Sequence, residues 1–154
     1  MKKQLPGLAT PPFASEQRAD GVWVYGFARP TREAVDCYVE TSRRHDLIYI
    51  EQGGHLQRLI LVAPGLVPTP YFASKAVRLI IATPPGLVES TAVHVPDSLG
   101  MRFLEAFLRQ VPERLLATIR LFMDLCEAEA WLAERRALLI QSDPEGVAGL
   151  PAPE

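Results

Sequence analysis

A chain of 154 residues suits one domain, and a fold of this length buries roughly 70% of the surface that the extended chain would expose. Its residues are 48% hydrophobic and 22% charged, with a net charge of −2, which excludes both a disordered acidic chain and a basic nucleic-acid binder. The sequence has no apolar run near the ~18 residues of a membrane span and no apolar core of a secretory signal. We therefore expect a cytoplasmic protein with no membrane span and no nucleic-acid partner.

Both ends of the chain are rich in proline, glycine and small side chains. Segments of this composition rarely bury enough apolar surface to fold. We predict flexible tails at residues 1–11 and 141–154, and one folded domain over 12–140.

A hairpin is predicted near the start of this domain. Two strand-like runs, Phe13 to Arg18 and Val22 to Ala28, flank the pair Asp20-Gly21. An Asp-Gly pair between strands favours a tight turn, because glycine tolerates positive φ.

The segment after Thr31, an N-cap candidate, allows two interpretations. In the first, one helix runs to about Gln52 and Gly53-Gly54 closes it. In the second, the helix ends near Arg44 and residues 47–51, which include β-branched side chains, form a strand. We favour the long helix.

Two units of strand followed by helix come next. The continuous apolar run Leu59 to Ala63 predicts a central strand buried on both faces. Thr69-Pro70 predicts a helix start, with an inward stripe and an end at the cluster Thr83 to Gly86; the stripe comprises Phe72, Ala73, Ala76, Val77 and Ile80. A second short strand is predicted over Thr91 to Val95.

The last units are predicted from caps and apolar spacing. Asp97 caps a helix over Ser98 to Gln110, whose broad apolar face comprises Leu99, Phe103, Leu104, Phe107 and Leu108. Residues 115–122 are predicted to form the last strand. Asp124 and Glu127 predict a capping box for a final helix, whose inward face comprises Leu125, Ala128, Trp131 and Leu132. The order predicts an α/β layered domain with a mixed, mostly parallel sheet of about five strands and about four helices.

The final strand and helix resemble the STAS-like family, the fold of bacterial anti-sigma-factor antagonists, and in particular its SpoIIAA-like branch. Many such proteins end in V-x-x-F-x-D-x-x-E-A-x-x-W-L, and the matching positions here are Phe122, Asp124, Glu127, Ala128, Trp131 and Leu132. The likeness extends back through TAVHVPDSLG and LILVAPGLVPTP to GVWVYGFARPT, over about residues 20–137. It implies a regulatory domain that acts through protein contacts.

Regulatory members of that family carry a phosphorylated Ser or Thr at the start of the helix after the second long strand. Thr69 holds the corresponding place in LVPTPYF, although Pro68 stands where those members have an acidic residue. Pro70 removes one of the N–H donors that could bind a phosphate at this helix start. Two roles therefore stay open for Thr69, a plain N-cap and a phosphorylation site.

Catalytic chemistry has weak support in the sequence. His94, Asp97 and Ser98 fall at a strand end, yet no nucleophile-elbow motif surrounds the serine, so we interpret Asp97 or Ser98 as a cap and His94 as partly buried. The chain carries no metal-ligand spacing and no phosphate-binding glycine loop, so we expect no metal and no cofactor. We interpret Cys37 and Cys126 as buried free thiols.

Two functions follow as expectations. The first is a non-enzymatic regulatory or scaffolding domain that binds a protein partner or forms a homodimer, with an interaction surface at Tyr71, Lys75, Arg78 and Met101. The second is a carrier of a small apolar ligand or lipid, because SpoIIAA-like proteins resemble lipid-carrier folds and the helices are rich in Phe and Leu.

Overall fold

The N-terminal hairpin is formed by β1 (Phe13–Gln17) and β2 (Trp23–Phe27), which pair antiparallel. They belong to a computed structural model that describes residues 11–142. Gly21 lies between the strands with φ of 89°, a conformation that glycine adopts without a steric cost. The hairpin predicted around Asp20-Gly21 is confirmed.

The other elements alternate helix and strand along the chain. They are α1 (Arg32–Gln52), β3 (His55–Val62), α2 (Pro70–Ile81), β4 (Val88–His94), α3 (Ser98–Leu108), α4 (Glu113–Leu116), β5 (Ile119–Phe122) and α5 (Leu125–Ser142).

The long helix favoured by the sequence is confirmed, and the alternative with a strand over residues 47–51 is wrong. The Thr31 hydroxyl accepts a hydrogen bond from the Ala34 N–H at 3.1 Å and caps the start of α1. At the other end, Gly53 has φ of 77° and donates its N–H to the Tyr49 carbonyl at 2.9 Å. The polar segment in the middle stays helical because it supplies the inward face at Thr41, Ser42, His45 and Asp46.

The sheet has the strand order β1-β2-β3-β4-β5, with β2 to β5 parallel and β1 antiparallel. Each parallel connection moves one strand in the same direction, so right-handed crossovers place α1, α2 and α3 on one face. The final helix α5 covers the other face, against β3, β4 and β5. The predicted α/β layered class, with a mixed and mostly parallel sheet and β3 at its centre, is confirmed.

Each face of the sheet has its own apolar core. The core under α1, α2 and α3 contains Tyr25, Phe27, Tyr38, Ile60, Leu79, Leu104 and Phe107. The core under α5 contains Val22, Leu59, Ala92, Phe122, Ala128 and Leu132, with Trp131 packed against it. The sheet is therefore enclosed between two layers of helices.

Three strands start three or four residues away from the predicted position. The strand β3 begins at His55 rather than Leu59, and β4 begins at Val88 rather than Thr91, because each strand includes polar residues before its apolar run, Gln57 and Arg58 in β3 and Glu89 and Ser90 in β4. The strand predicted over 115–122 starts only at Ile119. Before it, the Leu115 N–H donates to the Pro112 carbonyl at 2.9 Å and closes the short helix α4.

Three apolar side chains predicted to face inward are exposed, namely Leu99, Phe103 and Leu125. In α3 the buried face comprises Gly100, Leu104 and Phe107, so the inward stripe is narrower than predicted. Burial on α5 begins at Ala128, one turn after Leu125.

The Asp124 half of the capping box predicted for the last helix is confirmed, since the Asp124 carboxylate accepts from the Glu127 N–H at 3.1 Å. Residues 141 and 142 belong to α5. Residue 11 is also described, and the rest of the predicted tails, residues 1–10 and 143–154, lies outside the described residues. Across residues 11–142, none of the helices combines the length and the apolar composition that crossing a bilayer requires.

The packing of α5 predicts a clear contrast between two leucine substitutions. Leu132 is 1% exposed, so Leu132→Ala should lower the free energy of unfolding by about 2–5 kcal/mol. Leu125 is 40% exposed, so Leu125→Ala should cost less than about 1 kcal/mol. Urea denaturation of both variants checks this, and equal losses would contradict the described placement of α5.

Candidate ligand-binding site

A cavity of about 90 Å³ lies between the sheet and helices α1, α2 and α3. Most of its wall is apolar and comprises Phe27, Ile60, Val62, Phe72, Leu79, Ile80, Leu104, Phe107 and Leu121 among others. Its polar lining includes Ser42, Asp46, Arg58, Glu89 and Thr91. An apolar pocket with a few convergent polar groups is the arrangement typical of small-molecule sites.

The polar end of the cavity is built around Arg58, in the central strand β3. Its guanidinium pairs with Asp46 of α1 and, at 2.7 Å, with Glu89 of β4. The same group donates to the Ser42 carbonyl at 3.1 Å. The three charged side chains are only 7%, 7% and 11% exposed. Burying a charge costs several kcal/mol, so pairing is what makes this cluster tolerable.

A short hydrogen-bonded chain continues from Arg58 through the tyrosine on the neighbouring strand. The Arg58 Nε–H donates to the Tyr25 oxygen at 3.2 Å, which leaves the Tyr25 hydrogen free for the His45 Nδ1 at 2.5 Å. This arrangement places the His45 proton on Nε2. The Trp23 ring stacks on His45 with centroids 3.8 Å apart.

Burial changes the titration of several groups around the cavity. It raises the pKa of Glu89 above its usual value, while the positive charge of Arg58 acts in the opposite direction. Burial also raises the pKa of Tyr38 to about 12. Burial is the main cause that lowers the pKa of His45 to about 4, and the positive charges of Arg58 and Arg44 act in the same direction. His45 is therefore neutral near pH 7.

Sequence reasoning missed this cluster, although one signal was present. Arg58 looks like the polar border of an apolar strand, and Asp46 lies in a polar stretch that resembles a solvated helix face. Once a single long helix is accepted, Tyr38, Ser42 and His45 fall at helical spacing on one face. That spacing predicts that the polar stretch faces inward.

His94, Asp97 and Ser98, the residues considered as a catalytic group, do not bind one another. His94 Nε2 lies 3.2 Å from the Met123 carbonyl. Asp97 accepts hydrogen bonds from the N–H of Gly100 at 2.7 Å and from the N–H of Gly65 at 3.0 Å. Both bonds lower the pKa of Asp97, and the bond from Gly100 has the larger effect. The predicted roles of Asp97 as a cap and His94 as a partly buried strand residue are confirmed, while Ser98 is exposed at the start of α3.

The capping role of Thr69 is confirmed, since its hydroxyl accepts from the Phe72 N–H at 3.1 Å. Its phosphorylation stays a prediction. We expect Thr69→Ala to lower the free energy of unfolding by about 1 kcal/mol, because one N–H of the first turn loses its partner. Thr69→Ser should retain most of that stability in thermal or urea unfolding. A Thr69→Ala protein as stable as the original would show that the cap has no energetic role.

The interaction surface at Tyr71, Lys75, Arg78 and Met101 stays a prediction, and the structure shows where each of these side chains lies. The Tyr71 hydroxyl donates to Asp36 of α1, and the Lys75 ammonium lies 5.5 Å from the centre of the Tyr71 ring. Arg78 is exposed, whereas Met101 packs against the core under α1, α2 and α3. Tyr71 and Lys75 therefore belong to a junction between two helices.

A second polar cluster lies on the other face, between the sheet and α5. Ser90 is fully buried, lies 2.9 Å from the His55 Nε2 and accepts from the Arg135 Nε at 3.1 Å. Gln57 donates to the Leu132 carbonyl at 2.7 Å and accepts from Arg136 at 2.9 Å. Arg135 and Arg136 therefore both bind the sheet.

This second cluster pairs a hydroxyl with a histidine, but its geometry differs from a nucleophile and base. Among the described residues, the buried His55 Nδ1 has no hydrogen-bond partner, so none of them supplies the carboxylate that orients a catalytic histidine. Burial is the main cause that lowers the pKa of His55 to about 4, and the positive charges of Arg135 and Arg136 act in the same direction. The cluster serves to attach α5 to the sheet.

The placement of the two cysteines differs from the prediction. Cys37 and Cys126 are both exposed, so their interpretation as buried thiols is wrong. Cys37 lies on the outward side of α1, one residue before the inward Tyr38. Cys126 lies on the outward side of α5, two residues before the inward Ala128. In the described part of the chain, no group of three or more His, Cys, Asp or Glu side chains is placed to hold a metal ion.

Comparisons with known protein families, with curated proteins and with solved structures found no match to this chain.

Proposed function

We propose that this chain is a non-enzymatic binding domain whose cavity takes a small, mainly apolar ligand. The observation that carries the proposal is an apolar cavity that ends at the buried cluster of Arg58, Asp46 and Glu89. Paired charges inside a core add less stability than a well-packed apolar core would. Their position at a cavity end gives them a second use, which is to orient a bound molecule.

The size of the cavity limits the ligand. An apolar cavity of about 150 Å³ holds benzene, so about 90 Å³ holds roughly four heavy atoms without rearrangement. At a ceiling of about 1.5 kcal/mol per heavy atom, four atoms give a dissociation constant no lower than roughly 40 µM. A long lipid tail needs a larger space, so the proposed ligand is a small molecule.

A titration with 1-propanol tests this proposal. We expect saturable shifts in the methyl NMR signals of residues that line the cavity, such as Leu79, Ile80 and Leu104. Ala76 also lines the cavity and is buried, so Ala76→Val should fill part of the space and weaken binding.

The matched control is Ala130→Val, the same change at an exposed position of α5. It should leave the titration unchanged. Shifts that grow linearly without saturation, or that are the same in both variants, would contradict binding in this cavity.

The second candidate function is that of a STAS-like regulatory or scaffolding domain that associates with a second copy of itself. It is supported by apolar side chains on the outer side of α1, where Leu47 is 63% exposed and Ile48 and Ile50 are also exposed. Exposed apolar clusters on one element often mark contact surfaces. Basic and acidic residues border this patch, at Arg43, Arg44, Glu40 and Glu51.

Sedimentation equilibrium distinguishes this candidate from simple ligand binding. A dimer through α1 should dissociate in Leu47→Glu and persist in Leu99→Glu, which places the same charge at an exposed position of α3. A monomer at all concentrations would overturn the second candidate and leave the first unaffected.

A further inference from the structure

The charges that line the cavity do not balance. Two carboxylates, Asp46 and Glu89, face one guanidinium, that of Arg58. All three side chains are nearly buried, so water screens their charges weakly. The polar end of the cavity therefore carries one negative charge in excess when both carboxylates are ionised.

Arg58 leaves room for a further donor at this end. Its ion pairs use Asp46 Oδ1 and Glu89 Oε2, one oxygen from each carboxylate. Glu89 Oε1 is reached by the Thr118 hydroxyl only at 3.5 Å, the long limit of a hydrogen bond. A carboxylate has about four acceptor positions, so the pair can accept further hydrogen bonds.

Ser42 supplies a separate observation at the same end. Its side chain is 2% exposed and lines the cavity. Among residues 11–142, its buried hydroxyl oxygen has no hydrogen-bond partner of good geometry, although it interacts with the Tyr25 hydroxyl. A buried polar atom that lacks a partner is costly, and a ligand with a polar head would satisfy it.

We propose that the cavity binds a small primary amine, whose ammonium group lies beside Asp46, Glu89 and Ser42 and whose alkyl part contacts the apolar wall. An ammonium group has three donors and one positive charge, which match two carboxylates and a hydroxyl and cancel the excess charge. A carboxylate ligand would instead meet two buried negative groups. This inference rests on the proposed function, since it names the ligand class of the same cavity.

The test compares three probes of similar size, namely propylamine, 1-propanol and propionate, by methyl NMR titration near pH 7. We expect propylamine to bind about tenfold more tightly than 1-propanol, because a charge-assisted hydrogen bond replaces a neutral one. Propionate should bind most weakly. The variant Glu89→Gln retains an acceptor for Arg58 but removes the excess charge, so it should bring propylamine to the level of 1-propanol.

The outcomes separate the two claims. If 1-propanol binds and propylamine binds no better, or if Glu89→Gln leaves the preference for the amine unchanged, the amine inference is overturned and the cavity remains a binding site. If none of the three probes binds to a Glu89→Gln or original protein that is folded by circular dichroism, both claims fail.

Discussion

Replacing Arg58 with methionine is expected to lower the free energy of unfolding by about 3–5 kcal/mol, measured by urea denaturation near pH 7. Methionine resembles the arginine stem in size, so the change removes the charge more than the volume. Asp46 and Glu89 then remain nearly buried, without their cation and close to each other. Tyr25 and the Ser42 carbonyl also lose a donor.

Arg18 offers a matched control, because it also pairs with two carboxylates, those of Asp20 and Glu129. Its side chain is 32% exposed, so Arg18→Met should cost less than about 1 kcal/mol. Combining Arg58→Met with Asp46→Asn and Glu89→Gln should recover part of the loss, since the unpaired charges are then removed. Similar losses at the two arginines would contradict the described burial of the cluster.

A steep loss of stability on mild acidification is the second large effect that we expect. The pKa values of His45 and His55 are lowered from 6.5 to about 4 in the folded protein. Between these values the unfolded chain binds protons that the folded chain does not, so stability is complete above about pH 6.5 and falls as the pH decreases toward 4. Each histidine contributes a slope that approaches about 1.4 kcal/mol per pH unit near pH 5.

Urea denaturation at several pH values between 7 and 5 measures this slope. Glu89 acts in the opposite direction, because its raised pKa makes its contribution larger as the pH falls. Differences between the original protein and single variants therefore isolate each histidine. His45→Asn and His55→Asn should each reduce the slope, by an amount that approaches about 1.4 kcal/mol per pH unit near pH 5. A slope identical in all three proteins would contradict the buried, neutral state of both rings.

Much of the fold could be predicted from local signals. Thr31, Thr69, Asp97 and Asp124 each cap a helix as expected, because a cap depends on a side chain and the next three residues only. The apolar run of β3 identified the central strand for a similar reason. Strand starts at His55 and Val88 were missed because their pairing partners lie far away in sequence.

The candidate site could not be predicted from the sequence, because its residues come from distant parts of the chain. Arg58, Asp46 and Glu89 lie in three separate elements and meet only in the folded protein. Polar residues at such positions resemble surface residues, since their burial depends on partners that local sequence does not show. His94, Asp97 and Ser98 are close in sequence, yet His94 and Asp97 bind different partners in the structure and Ser98 is exposed.

The most direct test of the central claim, that an accessible apolar cavity ends at a buried ionic cluster, is a crystal structure determined under xenon pressure. Xenon enters apolar cavities and is visible by its anomalous scattering. We expect a xenon atom between the sheet and α2, in contact with Leu79, Leu104 and Phe107, with Arg58 paired to both carboxylates nearby. A core closed over this space without xenon, or an Arg58 side chain that points to solvent, would contradict it.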